Sequence, residues 1–310
     1  MDGHPKNIFL AVDGSEHSWA AVKLLQDLPI CHISSDGTQR PASLITVLTV
    51  LLPRNASDYA SRMQLLENTQ TALQGTGSCV QTELLVGNPA EMLVEYAEKH
   101  NPDLIVLGAK GLRATLGILL GGVAQQLVEY ACCPILIVRA PYKGLSHILA
   151  VVDGSPSSLS AVEFLGKFQL PPNAKITLAH VLPPLFQQNY VMPQYGLGTE
   201  TYIPTAPMDM DDLLALQEAE ECEGKELLNT VTGLLETQGL KSTTALLRGD
   251  AATEIIDYAG QHRVDLIVCG SRGLSPMRGW LLGSVSRKLV HYANCSTLVV
   301  KTPPKRMTFR

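Results

Sequence analysis

Asp103–Gly111 reads DLIVLGAKG, and Asp265–Gly273 reads DLIVCGSRG 162 residues further on (265 − 103). After nine more residues each copy reaches another glycine, Gly121 in the first and Gly283 in the second. An apolar strand that runs into a glycine-rich loop and then a helix is typical of phosphate-binding sites, because main-chain amides can approach the anion. A repeat of this length indicates two duplicated domains, since solenoid units have about 20–50 residues.

Length and composition agree with two folded domains. The chain has 310 residues, of which 45% are hydrophobic and 17% charged, which is typical of globular proteins. Its net charge of −5 argues against a general nucleic-acid or membrane-surface role, both of which favour basic proteins. No apolar run reaches the length of a membrane span, no signal peptide opens the sequence, and the seven cysteines form no CxxC pair. We therefore expect a cytoplasmic protein.

Each half alternates apolar runs with helical segments, which predicts a doubly wound α/β domain with a five-stranded parallel sheet. The first strands, Ile8–Val12 and Ile148–Val152, are both followed by Asp-Gly-Ser. Ser15 and Ser155 are predicted to cap the next helices. The predicted domains are residues 1–142 and 143–310. Further strands are predicted at residues 44–51, 82–86 and 135–138, and at residues 176–182, 244–247 and 297–300. The fourth strand of each half is the apolar run that leads into the glycine-rich loop.

The two halves differ in two connections. The first half has additional polar sequence around residues 34–39. The second half has an insert at residues 185–212, rich in Pro, Tyr, Met and Gly. A long loop inside a compact domain is often a functional lid, although an irregular surface loop is an equally good interpretation.

The spacing Gly-x2-Gly-x9-Gly, present after the fourth strand of both halves, resembles that of tandem universal stress proteins. The copy Gly270-x2-Gly273-x9-Gly283-Ser284 matches the ATP-binding pattern of that family completely. The resemblance covers nearly the whole chain. It implies a flavodoxin-like sheet with strand order 3-2-1-4-5 in each half.

The resemblance also implies roles for individual residues of the second half. Asp153 would lie beside the nucleotide, and the main chain of Val181 would lie against adenine. The loop Gly270–Gly273, which includes Arg272, would meet ribose and phosphates. The phosphate tail would be wrapped by the segment that follows, often with magnesium present: Gly283, Ser284, Val285 and Ser286.

The residue types can support this chemistry. A glycine allows close approach of an anion or a positive φ, and Ser284 and Ser286 offer hydroxyls at a helix N-terminus, where the dipole favours negative charge. Arg287 and Lys288 oppose that dipole, so we expect an anion near them. Arg272 adds a further phosphate donor. The alternative is that these are ordinary turn glycines and solvated cations.

The first half retains part of this set: Asp13, Val50, Gly108, Gly111 and Gly121. It has Gly122 in place of Ser284, Ala124 in place of Ser286, and Gln125-Gln126 in place of the two cations. We therefore expect an asymmetric pair of sites with the second half binding more tightly, and leave open whether the first half binds at all.

These observations favour a stress-response protein that binds ATP, or ADP or AMP, and acts as a nucleotide-responsive regulatory module. A slow ATPase and a ligand-free scaffold are the alternatives. The sequence has neither a P-loop nor a GxSxG elbow, and we predict no catalytic residues; His180 and His291 are interpreted as packed side chains. The last strands, Ile135–Val138 and Thr297–Val300, could pair to form an intramolecular pseudo-dimer, which could dimerise again.

Overall fold

The computed structural model describes residues 5–28, 31–33, 39–41, 43–111, 120–168, 170–184, 210–274 and 282–301. In the N-terminal half, the elements are β1 (Asn7–Ala11), α1 (Glu16–Asp27), β2 (Cys31–Ile33), β3 (Gln39–Pro41), β4 (Leu44–Leu51), α2 (Tyr59–Leu73), β5 (Cys79–Val86), α3 (Pro89–His100), β6 (Leu104–Gly108), α4 (Gly122–Tyr130) and β7 (Ile135–Val138). In the C-terminal half, they are β8 (His147–Val151), α5 (Pro156–Gly166), β9 (Lys175–Leu182), α6 (Met210–Thr237), β10 (Ser242–Arg248), α7 (Ala251–Gln261), β11 (Leu266–Gly270), α8 (Ser284–Tyr292) and β12 (Ser296–Val300). Short 3₁₀ turns lie at Pro53–Asp58 and Gln74–Thr76.

Ten of the strands form one continuous sheet in the order β10-β9-β8-β11-β12-β7-β6-β1-β4-β5. Counted within each half, the order is 3-2-1-4-5 and all pairings are parallel, as predicted. The halves meet where β12 and β7 run antiparallel, with Leu298 opposite Leu136. This is the internal pairing of the last strands that the sequence suggested, and it covers two strands that would otherwise be sheet edges.

The central strands are buried on both faces, which explains their nearly continuous apolar sequence. Leu10 and Val106 belong to the core on one face, under α1, α2, α5 and α6. Phe9 and Ile105 belong to the core on the other face, under α3, α4, α7 and α8. Because the strands within each half are parallel, their carboxyl ends lie at one edge of the sheet.

Two features differ from the sequence prediction. The longer connection in the first half contains a separate antiparallel hairpin, β2–β3, while residues 34–38 lie outside the described part. The helices α2 and α6 were not predicted. In α2 only Leu66, Thr69 and Leu73 are buried, so its sequence carries little helical periodicity. The predicted insert at 185–212 overlaps the start of α6, and its residues 185–209 are not described.

Two cations link the halves by capping each other's helices. The Nη2 atom of Arg139 donates to the main-chain oxygens of Val290 (2.9 Å) and His291 (3.1 Å) at the end of α8. Lys301, 162 residues later in the repeat, donates from Nζ to the oxygens of Glu129 and Ala131 at the end of α4. A cation is favourable at a helix C-terminus because of the helix dipole. The halves are thus joined by side chains as well as by strand pairing.

No described helix has the length and apolar character needed to cross a membrane.

Candidate functional site

The segments Gly108–Gly121 and Gly270–Gly283, here called the Gly loops, each have a hydrogen bond between their last residue and the residue after their first. The amide of Gly121 donates to the main-chain oxygen of Ala109 at 2.8 Å, and the amide of Gly283 donates to that of Ser271 at 2.7 Å. The loop tips, residues 112–119 and 275–281, lie outside the described part. These bonds hold the N-termini of α4 and α8 at the carboxyl ends of β6 and β11, where ligands collect in parallel sheets.

The turn after the first strand is fastened to this loop. Asp13 accepts the amide of Ser15 through Oδ1 at 3.0 Å. The hydroxyl of Ser15 donates to the oxygen of Lys110 at 3.0 Å and accepts the amide of Ser18 at 3.2 Å, which confirms its predicted cap of α1. In this way the strand-end aspartate and the Gly loop are kept side by side.

The C-terminal half repeats this arrangement. Ser155 donates its amide to Oδ1 of Asp153 at 3.0 Å and its hydroxyl to the oxygen of Arg272 at 3.3 Å. Ser155 also caps α5, as predicted. Val181, near the end of β9, pairs with Leu247 of the neighbouring strand. The structure therefore brings the predicted residues of each half to the same edge of the sheet.

The first glycine of each loop is required by packing inside the protein. A Cβ on Gly108 would lie 2.6 Å from the carbonyl carbon of His17 and 2.7 Å from the amide of Ser18. A Cβ on Gly270 would lie 2.6 Å from the carbonyl carbon of Ser157. Neither these glycines nor the four others of the two motifs have a positive φ. The positive-φ explanation is therefore wrong, and at these two positions the close neighbour is a helix of the protein.

The second glycine of each loop lies under the strand-end carboxylate. A Cβ on Gly111 would come 2.5 Å from Oδ2 of Asp13, and a Cβ on Gly273 would come 2.6 Å from Oδ2 of Asp153. Glycine at this position therefore lets the aspartate fold over the loop.

At the third glycine of each loop, no neighbour in the described part of the chain is close enough to exclude a side chain. Gly121 and Gly283 are the N-cap residues of α4 and α8, with φ of −75° and −70°. A Cβ on either would meet its nearest neighbours at 3.4 Å or more, which the surroundings can accommodate with little or no shift. By contrast, the N-termini of α1, α3, α5 and α7 are capped by polar side chains: Ser15, Asn88, Ser155 and Asp250.

Glycine caps leave main-chain donors open. Among the described residues, no side chain caps α4 or α8, and the first amides of a helix have no partner within the helix. In α4 these amides belong to Gly122, Val123 and Ala124, three residues that line a cavity. As far as the described part of the chain shows, no side chain caps them, so they can meet an acceptor from outside the protein.

The cavity has a volume of about 600 Å³, within the range of small-molecule sites. Its walls are largely apolar and include Leu52, Pro89 and Leu93. All five residues predicted for the first half line it: Asp13, Val50, Gly108, Gly111 and Gly121.

Sequence analysis missed two charged residues of this cavity. Asp58 ends the 3₁₀ turn after β4, and Arg62 lies one turn into α2. The Nη1 atom of Arg62 donates to the main-chain oxygen of Asp13 at 3.1 Å. With Asp13 and Lys110 they give the cavity two carboxylates and two cations. No motif marks Asp58 or Arg62, because they reach the site only through the packing of α2.

In the C-terminal site the two serines have different surroundings. The side chain of Ser284, the first residue of α8, is exposed. Ser286 is buried, and its hydroxyl donates to the oxygen of Gly270 at 2.7 Å. Its hydroxyl thus holds α8 against β11, and we correct its predicted role as a free phosphate donor; its amide remains one of the helix N-terminal donors.

The expectation that Arg287 and Lys288 require an external anion is also corrected. Lys288 Nζ lies 3.3 Å from Oδ2 of Asp250, and Arg287 Nη2 lies 4.0 Å from Oε1 of Glu129. Bonds from Thr253, and then from Lys288, lower the pKa of Asp250. The cations near the N-terminus of α8 thus have carboxylate neighbours within the protein.

His180 and His291 are interpreted from sequence as packed side chains. Both are half-buried, His180 is held by a hydrogen bond, and burial is the first cause of the lowered pKa of His291. Nδ1 of His180 donates to the oxygen of Val152 at 2.8 Å. Nδ1 of His17 accepts the amide of Ala140 at 2.9 Å. Burial, followed by the charges of Lys110 and Arg139, lowers the pKa of His17. Within the described residues no group of three or more His, Cys, Asp or Glu is placed to hold a metal ion.

Comparison with known proteins agrees with this architecture. A family model, "Universal stress protein family", matches residues 4–139 and 144–301. Universal stress protein MJ0531 of Methanocaldococcus jannaschii is 41% identical over 83 residues, 27% of this chain and 49% of that protein. Universal stress protein Slr1230 of Synechocystis is 21% identical over 322 residues, covering 96% of this chain and 100% of that protein.

A solved structure shows the same fold over almost the whole chain. The crystal structure of a universal stress protein from Archaeoglobus fulgidus superposes with a TM-score of 0.59 at 18% identity, covering 97% of this chain and 98% of that one. Because the family model matches both halves and the fold is shared from end to end, the chain belongs to the universal stress protein family.

Proposed function

We propose that this protein binds adenine nucleotides, ATP foremost, at the Gly loops of its two halves and acts in the stress response as a nucleotide-responsive regulatory module. The proposal is one of binding, and no catalytic residue is assigned. The two modules would be residues 1–142 and 143–310, in a cytoplasmic protein whose pseudo-dimer could form a homodimer.

The single observation that carries the proposal is the glycine cap of α4 and α8. A Cβ would fit at Gly121 and Gly283, and a Ser, Asp or Asn side chain at an N-cap position satisfies an open amide. Four other helices of the chain have such caps. Glycine at these two positions keeps three consecutive amides open at the positive end of a helix, which suits a phosphate group.

The surroundings fit the rest of a nucleotide. The N-terminal cavity continues from the α4 amides past Asp13 to the apolar end of β4. A carboxylate at the strand end can accept bonds from ribose hydroxyls, and an apolar slot suits a heterocyclic base. Lys110 and Arg272, between the first two glycines of their loops, supply one cation to each phosphate end.

Filling the caps provides the test. In Gly283→Asp the new carboxylate should cap α8 and exclude phosphate by charge repulsion, so the stability of the protein should hold while affinity for ATP at this site falls about 100-fold. Gly121→Asp should do the same in the N-terminal half. Isothermal titration of the full chain measures affinity, and urea unfolding measures stability.

Gly283→Asn is the matched control, because Asn caps a helix as well as Asp does without the charge. It should weaken ATP binding less than Gly283→Asp. The proposal fails if the Gly121→Asp/Gly283→Asp double variant binds ATP like the wild type. It also fails if the wild type binds none of ATP, ADP and AMP at millimolar concentration, which would favour the ligand-free scaffold.

A further inference from the structure

The phosphate ends of the two sites are built alike. Both have a glycine cap with open amides behind it, a strand-end aspartate and one cation in the loop, Lys110 or Arg272. The additional cations of the C-terminal half face carboxylates of the protein. Selectivity between the sites must therefore come from another part of each site.

The opposite ends differ, because Arg62 has no counterpart in the C-terminal half. Leu65 lies near Gly14, and Leu227 lies near Gly154 in the same way, which aligns α2 with α6 and places Gly224 at the position of Arg62. A Cβ on Gly224 would come 2.8 Å from Leu246 and 3.2 Å from His180. The helix α6 packs closely there against side chains of β9 and β10, and glycine allows this approach.

The C-terminal half has an arginine near the end of β9, Arg248, but its guanidinium is bonded to other groups of the protein. Arg248, at the end of β10, donates from Nη1 to Glu220 at 2.6 Å and to the oxygen of Pro183 at 3.0 Å. Glu220 aligns with Asp58 of the first half. Arg248 is thus held by α6 and by the end of β9, whereas Arg62 lines the cavity beside Asp13.

Arg62 reaches the cavity from α2, the helix that packs on β4 and β5. The order β6-β1-β4 puts the α4 amides on the β6 side, Asp13 in the middle and α2 on the β4 side. One N–H of the Arg62 guanidinium is used by the oxygen of Asp13, and a guanidinium has five N–H donors. Its remaining donors can meet the base of a nucleotide whose phosphate lies at α4.

We infer that Arg62 is a specificity-determining residue of the N-terminal site and shifts its preference toward guanine nucleotides relative to the C-terminal site. Guanine presents two adjacent acceptors, O6 and N7, which match the fork of a guanidinium, whereas adenine has a donor amino group beside N7. This inference rests on the proposed function, since it concerns the same phosphate-binding loops. It adds that the two sites of the chain differ in the base that they select.

The test uses full-length chains in which one site is closed. Gly283→Asp leaves the N-terminal site, and Gly121→Asp leaves the C-terminal site. Titration with AMP and GMP gives a ratio of the two dissociation constants for each site. We expect the ratio to favour GMP by about tenfold more at the N-terminal site, and Arg62→Gln to remove that difference.

Two further variants separate recognition from structure. Arg62→Lys keeps the charge but loses the fork, so it should also lose the guanine preference while retaining affinity for AMP. Arg248→Gln, the matched arginine of the other half, should leave the N-terminal ratio unchanged. Thermal unfolding of each variant verifies that the fold is intact.

The outcomes are distinguishable. If the wild type binds no nucleotide, the proposed function and this inference both fail. If Gly121→Asp binds nucleotide and Gly283→Asp does not, the proposed function stands and this inference is overturned. An AMP-to-GMP ratio that is equal at both sites, or unchanged in Arg62→Gln, overturns it as well.

Discussion

The N-terminal and C-terminal halves share one scaffold and differ in the charged groups around it. Asp250 and Lys288 form an ion pair in the C-terminal half, and at the corresponding positions the N-terminal half has the neutral pair Asn88 and Gln126. Acid and base have changed together at this pair, so its net charge is the same in both halves, and only Arg287, against Gln125, is an additional cation of the C-terminal half. Counting cations along the sequence therefore overstates how much weaker the N-terminal site should be.

A second difference lies inside the scaffold. Ser286 bonds to the oxygen of Gly270, whereas Ala124 leaves the equivalent oxygen of Gly108 without this bond. The C-terminal serine thus strengthens the loop that holds the amides in place. The comparison teaches that residues of a binding motif can serve the fold, the ligand, or both. The predicted ranking, with the C-terminal half tighter, remains a prediction.

The largest expected effect is a loss of stability when the first glycine of a loop is replaced, compared with replacement of the third glycine. In Gly108→Ala the new Cβ would overlap the backbone of His17 and Ser18, and forcing strand and helix apart should cost about 1–3 kcal/mol of unfolding free energy. Gly270→Ala should behave alike. Gly121→Ala, where the Cβ has room, should cost less. Urea unfolding of the three variants decides this, and equal losses would contradict the distinction.

Exchanging Ser286 and the equivalent Ala124 between the halves should have an intermediate effect on stability. Ser286→Ala removes one buried hydrogen bond and should lower the unfolding free energy by about 1 kcal/mol. Because the hydroxyl faces Gly270, affinity for ATP should change little. Ala124→Ser should restore the bond in the other half and add a smaller amount of stability. A large loss of affinity in a stable Ser286→Ala variant would return the serine to its predicted role at the phosphate.

The smallest expected effect is the pH dependence that His17 of the first half contributes; His291 of the second half, whose pKa burial also lowers, contributes equally in the wild type and in a His17 variant. His17 corresponds to Ser157, and its pKa is lowered from 6.5, first by burial. Between that value and the lower folded pKa the unfolded chain binds more protons, so stability falls as the pH drops below 6.5. His17→Asn keeps an acceptor for the amide of Ala140 and should show a flatter profile in acid unfolding. Identical profiles would exclude His17 as the source.

Much of the fold follows from sequence because its determinants are local. Apolar runs such as Ile135–Val138 predict buried strands, and Ser15 and Ser155 are recognisable caps directly before helices. The repeated sequence also predicts that the chain has two domains. By contrast, α2 has few buried positions, and its helical state depends on packing against β4 and β5.

The sequence by itself determined the duplicated strand-and-helix order and the glycine spacing, because periodicity and backbone freedom are properties of neighbouring residues. The tertiary structure alone decided which neighbouring residues make each glycine necessary. It also decided which carboxylates face Arg287 and Lys288, and that Arg62 lines the cavity. These facts depend on contacts between residues far apart in the chain. Such contacts are set by the packing of helices on the sheet, and no local pattern of the sequence records them.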